Sequence, residues 1–330
     1  MEGITGYVFR RVYHHCFPFA DKYFTPFLSP NHDGRLSPRE YQDVAPENNE
    51  GIKLVPQIMT NCAADFIRTA KTLNDMGYDE VNFNLGCPSG TVVSKGKGSG
   101  FLAFPEKLDR CLDEIFSGLD MKISIKTRIG REEPEEFMRL LEIYNQYPME
   151  ELIIHPRVQR DGYKNTPNMQ MFSYAYKHSV CPLCYNGDIV QAEDALRIQE
   201  MFPALSAMML GRGILMNPGL PERIKKEIRS REDGRSRTEN PMKNRTENLT
   251  EKEHIQEKER IREFHDRLYE AYCRAYLHVS GPKVVLFKMK EIWCYLASSF
   301  EDRGKAVKKI KKAQNLKEYE AAAALVFEAI

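Results

Sequence analysis

The 330-residue chain has no run of about 20 apolar residues, so no segment reads as a membrane span. Met1 to Arg11 lacks the basic-then-apolar layout of a secretion signal. No Gly-x-Gly-x-x-Gly stands between a strand pattern and a helix pattern, which argues against a separate dinucleotide-binding domain. Neither sign of charge is in excess. With 48 basic and 47 acidic side chains, a uniformly cationic nucleic-acid coat is excluded, though a locally basic face is not. The eight cysteines form no metal or disulfide framework. Cys181-Pro-Leu-Cys184 has a suggestive spacing, but no second cysteine pair or histidine pair completes a site, so no metal is expected. Scattered thiols inside apolar runs point to a reducing compartment and a cytoplasmic location.

What is present is a long alternation of short apolar runs and helical patterns. Tyr23 to Leu28, Lys53 to Met59, Asp79 to Leu85, Met121 to Thr127, Glu151 to His155, Pro182 to Asn186 and Ser206 to Leu210 read as strands. Helical patterns over Ala63 to Met76, Pro105 to Phe116, Glu133 to Tyr147 and Ala192 to Met201 separate many of them. Such βα units predict a parallel sheet. Polar or glycine-rich residues follow nearly every strand: Gly86-Cys87, Arg128-Ile129-Gly130, Pro156-Arg157, Gly187-Asp188 and Gly211-Arg212-Gly213. Chemistry that recurs after strand upon strand fits a TIM barrel, whose site is built from all the strand ends. A doubly wound sheet would concentrate it at one switch point.

The second part of the chain differs. Residues 1–220 carry a net charge of −5 and residues 221–330 a net charge of +6. Arg229 to Glu259 is highly charged, with Asp233-Gly234 and Asn240-Pro241 as turn signals, and reads as a linker or solvated segment. The sequons at Asn244 and Asn248 read as chance. Ile261 to Val279, Pro282 to Phe300 and Tyr319 to Ile330 read as helices of a small bundle. The expected organisation is therefore a barrel over 1–222, a charged linker or helical connection over 223–260, and an all-α domain over 261–330.

Five segments occur in order, each after a strand: Asn82-Phe-Asn-Leu-Gly-Cys87-Pro88, Lys126-Thr-Arg-Ile-Gly130, His155-Pro-Arg157, Asn186-Gly-Asp-Ile189 and Leu210-Gly-Arg-Gly213. The series closely resembles the tRNA-dihydrouridine synthases, and the opening Met1 to Arg10 and Val55-Pro-Gln-Ile58 fit as well. The resemblance covers residues 1–220 and continues more weakly into the tail. It implies an FMN-dependent TIM-barrel enzyme with a helical tRNA-binding domain. Such enzymes reduce the C5–C6 double bond of particular uridines in tRNA, with NADPH supplying electrons through the flavin. It further implies a catalytic cysteine at Cys87 and flavin contacts at Met1, Gln57, Lys126, His155, Asn186, Gly187, Asp188, Gly211 and Arg212. Substrate contacts are expected at Asn84, Lys95, Arg128, Arg157 and Tyr163. Lys288 and Lys290 join the tail cations available to phosphate. No metal is implied, and a monomer is expected.

The residue types suit that chemistry. Hydride addition to C6 of uracil leaves C5 in need of a proton, and a thiol of ordinary pKa about 8.5 can deliver it near neutral pH. Cys87 must stay protonated until transfer. A lysine in a barrel mouth needs an anionic partner or water, and an ammonium at Lys126 would stabilise a reduced flavin. His155 can remain neutral and present one N–H. Arg128 holds a nearby carboxylate or approaches substrate, and Arg157 approaches the tRNA backbone or the target base. Gly96, Gly98 and Gly100 suggest a flexible loop beyond Cys87, with Lys95 and Lys97 near phosphate.

One departure is expected to matter. Met1 stands where the family has the methionine ending its first strand, which predicts a gap at the first-strand position and weaker flavin affinity. Two alternatives remain open at this point. An FMN barrel oxidoreductase acting on a free pyrimidine would reduce nucleoside as well as tRNA. A catalytically inactive tRNA-binding protein would purify colourless and resist reconstitution.

Overall fold

The structure, a computed structural model, describes residues 1–30, 35–235 and 251–328. Its sheet contains β1 (Tyr23–Leu28), β2 (Leu54–Ile58), β3 (Glu80–Leu85), β4 (Lys122–Arg128), β5 (Glu151–His155), β6 (Leu183–Tyr185) and β7 (Ala207–Met208). The seven strands pair in parallel and in chain order. β1 and β7 lie at the two ends of that order. The sheet is thus TIM-barrel-like but not a fully closed barrel, so the barrel expected with an incomplete first strand is found as a half-barrel followed by a helical bundle.

Period-two alternation explains how these strands bury both faces. Val81, Phe83, Leu85, Ile123 and Ile125 form one set and are fully buried. They face the helices: Phe83 meets Phe66 of the helix Ala63–Asp75 at 5.0 Å between ring centroids. Thr127 continues this set, its hydroxyl 3.0 Å from that of Tyr144 in the helix Glu136–Tyr144. The intervening residues Asn82, Asn84, Ser124, Lys126 and Arg128 therefore project from the opposite face. Truncating Phe83 to Ala would cost about 3–5 kcal/mol through lost burial and the cavity left behind. At the strand starts, away from this polar set's functional end, Lys22 Nζ lies 3.0 Å from Glu80 and 3.7 Å from Glu151.

The chain divides into two compact units. The first comprises Met1–Tyr7, Lys22–Asp188 and Gln199–Leu210; the second comprises Val8–Asp21, Ile189–Ile198 and Gly211–Ile330. Within the second unit, helices Glu251–Ser280, Pro282–Leu296, Gly304–Lys312 and Leu316–Phe327 enclose Trp293 and Tyr319. The Trp293 indole donates to the Tyr319 hydroxyl at 3.0 Å, so both buried polar atoms are satisfied. Helix Tyr7–Cys16 belongs here too, with Phe9 and Tyr13 edge-on to Phe264 at 5.8 and 6.1 Å. Helix Leu220–Arg235 runs through Asp233-Gly234, where the sequence suggests a turn. A glycine weakens a helix by about 1 kcal/mol without forbidding it. Asn240-Pro241 and both sequons lie outside the described residues.

Candidate active site

The turn that carries Cys87 is fixed by side chains on both sides. Asn84 Oδ1 accepts from the N–H groups of Gly86 and Cys87, each at 3.0 Å, an Asx-type turn that ends β3 sharply. The Cys87 carbonyl accepts from the Ser99 N–H at 3.0 Å and the Ser99 hydroxyl at 2.9 Å. Gly98 makes this approach possible. Its φ is +56°, and a Cβ there would lie 2.7 Å from the Cys87 carbonyl oxygen. Gly98, Ser99 and Gly100 are buried in a 3₁₀ segment, so the glycines that suggest a flexible loop instead permit close packing.

The Cys87 thiol is half-buried and free. Desolvation pushes its pKa up, outweighing a backbone hydrogen bond from Ser89 and the charges of Lys126 and Arg128. The group is a protonated thiol at neutral pH, suited to giving a proton and poorly suited to nucleophilic attack.

Behind the turn runs a directional ladder of amides. Asn84 Nδ2 donates to Gln57 Oε1 at 2.7 Å, and Gln57 Nε2 donates to Asn82 Oδ1 at 2.9 Å. Asn82 Nδ2 then donates to Ser124 Oγ at 3.0 Å. Gln57 and Asn84 were expected at flavin and substrate. Their amides tie β2, β3 and β4 together and orient the Cys87 turn. Asn82, which opens the first motif but carried no expected role, and Ser124 are additions to the expected set. The signal was available as polar residues at every second position of two otherwise apolar runs.

Lys126 lies beside Asn84 in the β3–β4 register and beside Ile153 in the β4–β5 register. Among the described residues its ammonium has no carboxylate or hydrogen-bond partner. Desolvation, followed by repulsion from Arg128, pulls its pKa down to about 8. A cation held in this way is an open invitation to an anion.

Arg128 is 1% exposed. It donates from Nε to the Gly86 carbonyl at 3.0 Å, from Nη1 to Val158 O at 2.9 Å and from Nη2 to Gly162 O at 2.7 Å. Among the described residues no carboxylate accepts a hydrogen bond from it. The guanidinium joins the loop after β3 to the loop after β5, and Tyr163 lies against it with its centroid 5.5 Å away. Tyr163 is exposed, and its ring stands 6.2 Å from that of His155. Gln159 Oε1 is buried without a hydrogen-bond partner among the described residues.

Arg157 is 2% exposed and contacts His155, Asp188 and the Asn165 carbonyl. The Asp188 carboxylate thus faces a protein arginine, and Asn186 Nδ2 donates to the Met209 carbonyl at 2.9 Å. Gly187 is pressed against Tyr185, whose hydroxyl would lie 3.0 Å from an added Cβ. Lys95 is exposed, and its carbonyl accepts from Asn61 at 3.0 Å. The Met1 ammonium donates to Thr5 Oγ1.

The remaining expected residues belong to the second unit. Gly211 precedes the short helix Arg212–Met216, and Gly213 packs directly on the Ile189 carbonyl. Lys290 donates to the Ala313 carbonyl at 2.9 Å, closing the C-terminus of helix Gly304–Lys312. Lys288 Nζ stands over Tyr272 and Tyr276, 5.4 and 5.0 Å from their centroids. That helix also exposes Lys305, Lys308, Lys309, Lys311 and Lys312, while Val307 and Ile310 are buried.

Residues 1–318 match the family model described as Dihydrouridine synthase (Dus). A probable tRNA-dihydrouridine synthase of Staphylococcus epidermidis (strain ATCC 12228 / FDA PCI 1200) is 27% identical over 240 residues, covering 70% of this chain and 72% of that protein. Probable tRNA-dihydrouridine synthase 2 of Bacillus subtilis (strain 168) is 27% identical over 241 residues, with the same coverage. Among solved structures, the old yellow enzyme homologue from Zymomonas mobilis aligns with a TM-score of 0.48 at 11% identity, over 66% of this chain and 83% of that one.

Proposed function

Because the chain belongs to the dihydrouridine synthase family, we propose that it reduces the C5–C6 double bond of uridines in tRNA, using FMN and NADPH. The observation that carries this reading is a pair of groups: an unpartnered, desolvated ammonium at Lys126 and a thiol at Cys87 kept protonated by burial. Cys87 follows β3, and Lys126 pairs with Asn84 of β3 on the neighbouring β4, which supports reading the two as one site.

The donor set suits a flavin. The isoalloxazine ring is a flat array of carbonyl and ring-nitrogen acceptors that gains negative charge on reduction, and Lys126 offers the unsatisfied cation to meet it. His155 supplies a further polar group beside Arg128 in the β4–β5 register. Asn186, Gly187, Asp188, Gly211 and Arg212 remain proposed contacts on the resemblance. When bound, reduced FMN supplies a hydride to C6 of the uracil, its electrons having come from NADPH.

The chain's own residues do the rest. Cys87 gives its thiol proton to C5, and the thiolate regains a proton from solvent. Asn84, Ser99 and Arg128 hold the backbone on which that thiol rides. Tyr163, exposed beside Arg128, offers an aromatic face for a pyrimidine turned out of the tRNA stack. The lysines of helix Gly304–Lys312 supply sequence-independent affinity for phosphate.

The test is to incubate purified protein with FMN, NADPH and unmodified tRNA, then map dihydrouridine by mass spectrometry. Dihydrouridine at defined tRNA positions, with far slower reduction of free uridine, supports the proposal. Equal reduction of free pyrimidine, or no reduction by a flavin-loaded protein, overturns it.

A further inference from the structure

We propose that Arg157 is a positioning residue that locks His155 in the neutral tautomer with its ring proton on Nδ1. Arg157 was expected at the tRNA, yet its guanidinium is enclosed. Nη1 lies 2.8 Å from His155 Nε2 and 3.2 Å from Asp188 Oδ1. Nη2 meets Asp188 Oδ2, and Nε meets the Asn165 carbonyl. A guanidinium has only donors and keeps its proton in proteins. At 2.8 Å, His155 Nε2 must therefore accept. An accepting Nε2 carries a lone pair, so the ring is uncharged and its one proton resides on Nδ1.

The surrounding backbone makes this arrangement rigid. Pro156 fixes one dihedral of the bend between the two residues. The Arg157 N–H donates back to the His155 carbonyl at 2.7 Å, and the Arg157 carbonyl accepts from Ile129 at 3.2 Å. Asp188, the fourth member, has φ +44°, the one positive φ found at a non-glycine among the described residues. The left-handed region is one that aspartate tolerates better than most side chains, and the paired charge of Arg157 helps to hold it there. Arg157 thus joins the loops after β5 and β6 and sets the chemistry of the histidine that ends β5.

Resting on the flavin reading above, the consequence is that His155 serves the cofactor only as an Nδ1–H donor, with Nε2 closed to any ligand. Arg157 then governs flavin retention without touching flavin or tRNA.

The experiment is nitrogen-15 NMR of the flavin-free protein labelled at histidine, with the His155 signals assigned by their loss in His155→Gln. The expected spectrum at pH 7.5 has a protonated, pyrrole-type Nδ1 and an unprotonated Nε2. A proton on Nε2, or a doubly protonated ring, overturns the proposal. Arg157→Met should convert the signal to a mixture of tautomers and weaken FMN binding at least tenfold, while Arg157→Lys should restore most of the Nδ1–H signature. An unchanged spectrum in Arg157→Met overturns the proposal as well. Should that variant not fold, the parent spectrum decides alone. Because the tautomer is read without flavin, failure to bind FMN would sink the functional reading separately.

Discussion

A lysine ammonium without a counter-charge destabilises the protein that carries it, and Lys126 is such a group. Its folded pKa of about 8 lies below the unfolded value of 10.5. Between those values the unfolded chain binds more protons, so stability rises with pH across that window. Below pH 8 the penalty is fully present. Lys126→Met should therefore raise the thermal midpoint at pH 7 by a few degrees, a gain that fades above about pH 10.5, as calorimetry across pH would record. The same variant should bind FMN at least tenfold more weakly, and FMN affinity of the parent should fall as pH rises through 8. A variant that loses both stability and flavin would contradict this assignment. Cys87 yields a parallel test: its raised thiol should react with iodoacetamide slowly at pH 7 and faster at higher pH. At this scale the sequence revealed which residues stand at the strand ends. It did not reveal their partners. Nothing in the sequence tells that Arg157 meets a carboxylate 31 residues away, or that Arg128 is used on three carbonyls.

The strands and the turns after them were legible because their pattern is local. Alternation marks both faces of β3 and β4, and the one-residue offset separates Phe83 from Asn82 and Asn84. Helix starts were less so. The sequence suggests a helix from Glu133, but the Glu136 carboxylate accepts from the N–H groups of Arg131, Glu132 and Glu133 at 2.8–2.9 Å and turns that stretch into a cap. The Gly98 segment shows the same limit, since a glycine placed for close contact looks in sequence like one placed for mobility. Gly98→Ala should cost about 1–3 kcal/mol by overpacking against Cys87 and Val92. Because the clash falls on the Cys87 carbonyl, dihydrouridine formation should drop more than flavin binding does. Equal losses in both would place the effect in general instability. Asn84→Ala should act likewise, leaving the Gly86 and Cys87 N–H groups unpaired at about 1–3 kcal/mol.

Across the whole molecule, the uneven charge has a measurable consequence. Residues 221–330 carry a net +6, and helix Gly304–Lys312 alone holds five exposed lysines and no acidic residue. If they grip phosphate, replacing Lys308 or Lys309 by Gln should weaken tRNA binding about equally for all tRNAs. It should also lower the log–log salt slope by about 1 per lysine. Filter binding over a salt series reads this, and an unaltered slope would remove that helix from the interface. The two-unit division was only partly foreseeable, because helix Tyr7–Cys16 joins the later helices through ring contacts that span more than 240 residues of sequence.

The central claim is that one thiol gives the proton while the flavin chemistry proceeds without it. Rapid-reaction measurement of Cys87→Ala separates the two halves. Flavin reduction by NADPH should proceed at the parent rate, and dihydrouridine formation from the reduced enzyme should fall by about 10²–10⁴. Uridine reduction at the parent rate in that variant would contradict the account.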